Sequence, residues 1–489
     1  MSSLSVLTDE QIKELLESMT VDELEAFYMD LRGALHDYSV GSQPDEEDAD
    51  IHQPHRTTIN SSRTGATSLF MPSSSPAGLG VKVITLSPPP KTTTTTTTTT
   101  ENEALSSKPK IKPTGAITLF ASTGQPVGIL HASTLTAFRT ALASACLVIK
   151  RNRVHTITAF GSGEQAYWHI RLALMLRGDT IRHVNIINRT FSEGAKNILK
   201  RFYVVPTDVK KREGWADAEF GMLTPGYGEY ARLLRDQVRA ADVIFCCTPS
   251  QEPLFQHSIL TSGEGRRKGR LIVAIGSYTP DMIELPLEVV HQAVKTHEHG
   301  HRHFHKHAVE GGVVVVDTLD GALKEAGEVI QGELSPNQLI ELGELVMLHR
   351  IKMDEESSSD TGSYMSSEGS SAPTSEFDKL DLSSGPSMST IFSSSSTENG
   401  GSNSQPGSRP SSPSRSSSRQ LFHRRRSSHR SAEQQQKKKK DREDHMCRWL
   451  QGGNVIYKSV GLGLMDLTVG LRVIEFAKQK GVGTHVDGF

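Results

Sequence analysis

Cysteine is scarce in this 489-residue chain. The four present, Cys146, Cys246, Cys247 and Cys447, are too few and too badly spaced for a disulfide framework. That usage fits a reducing compartment, and a cytoplasmic protein is expected. An excess of one charge is missing too. Lys and Arg total 54 against 56 Asp and Glu, a net charge of −2. That balance gives no global pull toward nucleic acid or an anionic membrane. No run of roughly 18 or more apolar residues occurs, so no membrane span is expected. The opening MSSLSVLTDEQIKELL is acidic and amphipathic, unlike the apolar region of a secretory signal. Apolar residues make up only 36% of the chain, as expected of a folded core diluted by polar sequence.

Three polar tracts do the diluting. They are the threonine run within 92–110, the His-rich HEHGHRHFHKH within 295–308, and a Ser-rich, basic stretch over 351–445. The last cannot bury enough apolar surface to offset its ordering entropy and is expected to be disordered. Patterned sequence returns over 446–489, so the stretch reads as an insertion within a domain rather than a tail. The alternating histidines would share one face of a strand. They sit in a loop-like insert with no supporting pattern, and no metal is assigned to them. HRRRSSHR and KKKK read as solvated charge, so neither a nucleic-acid nor a membrane partner is assigned.

Between the tracts, the pattern over Leu7–Tyr38 is helical, with Thr8 and Gln11 spaced as a capping box. RTTI, TSLFMP and GLGVKVITL read as strands, GAITLFASTGQPVGILH as a hairpin and LTAFRTALASACLVIK as a helix. TITAF, HVNIIN, ADVIFCC, LIVAIGS and GVVVVD then alternate with helical segments. Strands apolar on both faces and separated by helices predict βαβ units in a parallel sheet. The segment 446–484 reads as strand, loop and amphipathic helix.

At the first of these βα junctions stands GSGEQA, with Gly161, Gly163 and Ala166 spaced G-x-G-x-x-A. The first glycine permits a sharp turn, the second admits a pyrophosphate to the backbone, and the third small residue seats the helix on the strand. The helix N-terminus adds free N–H groups. A ligand-free turn would show the same spacing, but a strand precedes it and a helix and second strand follow. The expected fold is therefore α/β, a doubly wound parallel sheet of Rossmann type binding a dinucleotide. At the end of the second strand, where an acid would take the ribose hydroxyls of NAD, the chain has Asn188-Arg189-Thr190. A cation there fits a 2′-phosphate, so NADP(H) is favoured over NAD(H).

Taken in order, PHRTTI, GLGVKVITL, TAFRTALASA, ITAFGSGEQA, ADVIFCCTPSQEPLF, IVAIGSYTPDMIEL, VVVVDTLDGALKEAG and VIYKSVGLGLMDLTVG resemble the ornithine cyclodeaminase/mu-crystallin family. The resemblance implies a substrate-binding and dimerisation domain from 1–134 with 446–489, and a dinucleotide-binding domain over 135–350. It also implies a homodimer and an active site between the domains. Arg56, Lys82 and Arg139 fall where the family binds its amino- or imino-acid substrate, with Val460 placed to touch it. Glu164, Gln165, Asn188, Thr248, Gly276 and Ser459 fall on cofactor positions. The chemistry of these residue types agrees. A guanidinium on the apolar helix of Arg139 needs an anion or a cavity. An ammonium in the apolar strand of Lys82 has an easily shifted pKa and can donate a proton.

The chain departs from the family at two positions. Cyclodeaminases carry a catalytic aspartate where this chain has Tyr278, and a cofactor-contacting lysine where it has Met282. A phenol titrates near 10 and is a poor base at neutral pH, though it can donate a proton. The reading that follows is an NAD(P)H-dependent reductase of a small cyclic imino acid, with Lys82 or Tyr278 as proton source. An ornithine cyclodeaminase-type lyase and a non-catalytic NADP(H)-binding protein are the alternatives.

Overall fold

The computed structural model of the chain describes residues 3–41, 50–87, 112–295, 311–348 and 446–489. The threonine tract and the 351–445 stretch lie outside them, as does the His-rich segment apart from its first residue.

Seven strands form a mixed sheet: β1 (Ser3–Leu7), β2 (Thr57–Asn60), β3 (Thr67–Ser75), β4 (Gly78–Ser87), β5 (Lys112–Ala121), β6 (Pro126–His131) and, from the far end of the chain, β15 (Thr484–Asp487). Their order is β15-β1-β6-β5-β4-β3-β2, antiparallel except for the β1–β6 pair. The expected hairpin is the β5–β6 pair. Alternate residues of β4 face the long C-terminal helix Gly463–Lys480. Lys82 lies on that face, and a Cβ on Gly80 would stand 3.3 Å from Leu467. The opposite face carries the exposed Leu79 and Ile129.

Eight strands form an all-parallel sheet: β7 (Thr156–Phe160), β8 (His183–Ile187), β9 (Glu219–Leu223), β10 (Val243–Cys246), β11 (Leu271–Ala274), β12 (Val313–Val316), β13 (Leu339–Glu341) and β14 (Val455–Lys458). The order is β13-β12-β14-β11-β10-β7-β8-β9. β7, β10, β11, β12 and β14 are buried at every position, which is why their sequences are apolar without alternation. This is the doubly wound α/β architecture, with the strand order reversing between β7 and β10.

The N-terminal helical pattern resolves into two helices, and the placement of 446–489 needs correction. β1 ends at Leu7, helix α1 (Asp9–Glu17) carries the Thr8–Gln11 capping box, and a second box, Thr20–Glu23, starts helix α2 (Val21–Val40). Two capping boxes in one amphipathic run specify two helices. The segment 446–489 is also divided. β14 joins the parallel sheet between β11 and β12, and only the C-terminal helix and β15 belong with the mixed sheet.

The two lobes share a core. Helix α3 (Ala132–Val148) packs against α1 and α2 of one lobe and helix α4 (Glu164–Arg177) of the other. Phe138 of α3 meets Phe27 edge-on at 5.6 Å and Trp168 at 5.2 Å, all three fully buried. Truncating such a side chain to Ala typically costs about 3–5 kcal/mol.

Candidate active site

The dinucleotide edge starts at the strand-order reversal. Gly161, just past β7, has φ +107°, and a Cβ there would stand 3.0 Å from the Cys247 carbonyl and the Thr248 side chain. Only glycine lets these neighbouring loops close. Gly163 caps α4 without a side-chain bond, and a Cβ on it would face open space. The first-turn amides are thus left for an outside acceptor. Gln165 Oε1 is buried with no partner among the described residues. A cavity of about 560 Å³ opens against this turn. Glu164 stands on one wall, with Thr114, Ala116, His131 and Ser133 from the other lobe across it. A glycine-only turn and uncapped helix amides fit a diphosphate.

At the end of β8 the Asn188 side chain donates to the Thr190 carbonyl at 2.7 Å and turns the chain, leaving Arg189 and Thr190 exposed. This turn lies beside the glycine loop: a Cβ on Gly194 would stand 3.8 Å from both Ser162 Oγ and Ser192 Oγ.

Thr248 and Gly276, past β10 and β11, are joined by a carboxylate the sequence reading missed. Glu284, fully buried, accepts from the Thr248 amide at 2.8 Å, the Gly276 amide at 2.7 Å and the Ser277 amide at 3.2 Å. Glu328 supports it, accepting from the Glu284 amide at 2.7 Å and from Ser277 Oγ, and it pairs with Lys458 at 3.0 Å. Lys458 also donates to the Ser277 carbonyl and hydroxyl. Burial raises Glu284 to about 7, with the Glu328 charge adding to the rise, while Lys458 and the loop amides oppose it.

A buried cationic cluster lies against the C-terminal helix. Lys82 and Arg139, both buried, converge on Asp466. Lys82 Nζ donates to both carboxylate oxygens at 3.1 Å, and Arg139 Nε to Oδ1 at 3.1 Å. Asp466 is itself buried, in the first turn of its helix. Its partners meet the requirement that a buried charge be paired. Desolvation first, and the Arg139 charge after it, lower Lys82 to about 8 against the pull of Asp466. With Nε of Arg139 engaged, the Nη groups lie against Gly461. A Cβ at that residue, whose φ is +91°, would stand 2.9 Å from Nη2. The absence of a side chain at Gly461 gives that guanidinium edge room against the backbone, and Nη1 also reaches Met465 Sδ at 3.5 Å, so the group is buried.

Pocket and edge are contiguous. Asp317, at the end of β12, accepts from Ser459 Oγ at 2.8 Å and from the amides of Val460 and Gly461 at 3.1 and 2.6 Å, fixing the loop that faces Arg139. Arg56 donates to the Tyr278 carbonyl at 3.1 Å and pairs with Glu325 at 2.7 Å. Tyr278 thus presents its carbonyl, not its phenol, to Arg56. Arg56, Lys82, Arg139 and Val460 therefore border the same strand ends as Gly276 and Ser459. Asp466, Asp317, Glu284, Glu328, Glu325 and Lys458 were missed. Asp466 and Asp317 leave a trace in the sequence, as lone acids in apolar surroundings (GLGLMDLTVG and VVVVDT).

No model of a protein family matches the chain. An uncharacterised protein of Saccharomyces cerevisiae is 29% identical over 246 residues, covering 46% of this chain and 60% of that one, so the chain spans less than two thirds of it. A Delta(1)-pyrroline-2-carboxylate reductase of Bacillus cereus is 26% identical over 282 residues, covering 56% and 68%. The ketimine reductase mu-crystallin of Macropus fuliginosus is 26% identical over 321 residues, covering 65% and 80%. Among solved structures, the Thermococcus litoralis Delta(1)-pyrroline-2-carboxylate reductase in complex with NADH and L-proline superposes with TM-score 0.55 at 18% identity, covering 99% of this chain and 100% of its own. An archaeal alanine dehydrogenase dimer with bound NAD gives 0.55 at 16%, covering 100% of each. At these identities the structural likeness is one of fold.

Proposed function

We propose that the chain is a member of the ornithine cyclodeaminase/mu-crystallin family and, from that premise, an NAD(P)H-dependent oxidoreductase that reduces a small cyclic imino acid, or interconverts an imino and an amino acid by hydride transfer. The observation that carries this reading is the Lys82–Asp466–Arg139 cluster, buried against the strand ends that also bear Gly276 and Ser459.

In this reading Gly161, Gly163 and the first-turn amides of Glu164 and Gln165 hold the diphosphate. Asn188, Arg189 and Thr190 take the adenosine end, with Arg189 favouring NADP(H) through the 2′-phosphate. Thr248, Gly276 and Ser459 border the nicotinamide end. Bound there, the cofactor supplies a hydride to the C=N carbon. The Nη edge of Arg139, with Arg56, takes the substrate carboxylate, and Val460 packs against the ring. Lys82 Nζ gives its proton to the imine nitrogen, completing the amine. An ammonium titrating near 8 is charged at neutral pH yet gives up its proton readily. Tyr278 is the second proton source. Because it stands where cyclodeaminases carry aspartate, the lyase reading lacks its base. The chain acts as a homodimer.

The test is to assay pyrroline-2-carboxylate and L-ornithine against NADPH and NADH. Net NADPH oxidation with the imine is the expected result. Ammonia release from ornithine without net cofactor turnover would replace this reading with the lyase. Tight nucleotide binding with neither activity would leave a binding protein.

A further inference from the structure

The first turn of α4 begins with an acid, Glu164, at the position where a diphosphate needs positive charge. A carboxylate suits a bare helix N-terminus but repels a phosphate held by the same amides. Glu164 is not left free. Its Oε1 accepts from Nη1 of Arg201 at 2.7 Å, and Nη2 of the same guanidinium donates to Glu17 Oε1 at 2.7 Å. Arg201 lies on helix α5 (Glu193–Val204) and Glu17 ends α1, so one cation joins the glycine loop, the second βα unit and the opposite lobe. The guanidinium carbon sits 3.2 Å from the centre of the Tyr167 ring, and the Tyr167 hydroxyl bonds Glu17. Only 19% of the Arg201 side chain is exposed. A planar, permanently charged fork stacked on an aromatic ring is well suited to holding two carboxylates in place.

We propose that Arg201 is a positioning residue for the dinucleotide: it neutralises Glu164 at the diphosphate-binding turn and pins the glycine loop to α1 beside the interlobe cavity. This rests on the reading of that turn as the diphosphate site. Arg201 need not touch the cofactor. Its role is to remove a repulsion and to couple the loop to the other lobe. Without it, Glu164 and Glu17 face each other with no cation between them, and a nucleotide would bring further negative charge to the same place.

The experiment is calorimetric titration of the full chain with NADPH, for the native protein and for R201Q, R201K, E164Q and E164Q/R201Q. R201Q is expected to weaken binding roughly tenfold, equivalent to about 1.4 kcal/mol. E164Q should bind at least as well as the native chain. The double variant should return to within about threefold of E164Q, because the charge that Arg201 neutralises is gone. R201K, which keeps the charge, should fall between the native protein and R201Q. A double variant as weak as R201Q would show that Arg201 acts only through packing and would overturn the proposal. So would R201Q binding like the native chain, or, should R201Q fail to fold, R201K binding tenfold more weakly than the native chain. A native chain that binds neither NADPH nor NADH would instead remove the diphosphate reading, and this inference with it.

Discussion

At the carboxyl edge of the parallel sheet the groups proposed to face the nucleotide are mostly backbone: the turn at Gly161 and Gly163, and the loops of Thr248 and Gly276 tied to Glu284. In the buried cluster against the C-terminal helix they are side chains, Lys82 from β4 and Arg139 from α3, meeting Asp466 from 384 and 327 residues along the chain. The first region depends on where the chain passes and is intolerant of an added carbon. The second depends on charge balance and is intolerant of a lost or uncompensated ion. One difference in construction predicts two patterns of failure.

The sharpest break is in the pocket. Lys82→Met should lower kcat/KM for the imine by roughly 10³-fold, within the usual range for a lost acid–base group, while NADPH binding is unchanged. Steady-state kinetics beside nucleotide titration would show this, and a fall in nucleotide affinity of the same size would merge the two regions. At the edge, Gly161→Ala places a methyl group 3.0 Å from the Cys247 carbonyl at a φ that L-residues rarely adopt. Nucleotide affinity should drop by roughly 100-fold, about 2.7 kcal/mol. Unchanged affinity on titration would mean that the turn does not need its geometry.

The pH dependence belongs to the pocket. Lys82 must carry its proton to donate it, so kcat/KM should decline above about 8, by about tenfold per pH unit. A profile flat up to about pH 10 would remove Lys82 as donor. Arg189→Asp should move preference from NADPH toward NADH by roughly tenfold, read from the ratio of the two kcat/KM values. No movement would undo the 2′-phosphate assignment. The smallest effect is expected from Glu284→Gln, which keeps the shape but weakens a three-amide clasp. Nucleotide binding should loosen roughly threefold, with little change in the affinity for L-proline as a product analogue.

The same contrast explains what could be read from the chain. The glycine turn is contiguous, so spacing alone located it, and apolar strands on either side supplied its context. Lys82 and Arg139 were legible as cations in apolar surroundings that demand an anion. The anion was not, because nothing local in LGLMDLTVG says which cation lies across the fold. Glu284 and Glu328 occupy loop and helix-end positions where most carboxylates are solvated, so their burial was invisible. Arg201 looked like an ordinary amphipathic-helix residue. The strand Val455–Lys458 was recognisable as a strand, but periodicity does not specify which sheet an apolar strand joins, and the domain bounds implied by the resemblance put it with the other lobe. Residues 92–110 and 351–445 lie outside the described structure.

β14 also bears on the order in which the molecule can be assembled. It lies between β11 and β12, with residues 349–445 separating it in sequence from everything else in that sheet. While the ribosome is still working through that stretch, β11 and β12 have no common neighbour, and each presents an open edge to whatever else is nearby. Chain elongation at about 5–20 residues per second leaves those edges open for several seconds. Nascent chains should therefore need shielding at that stage, and a truncation before Val455 should release an aggregation-prone half-sheet rather than a shortened folded protein.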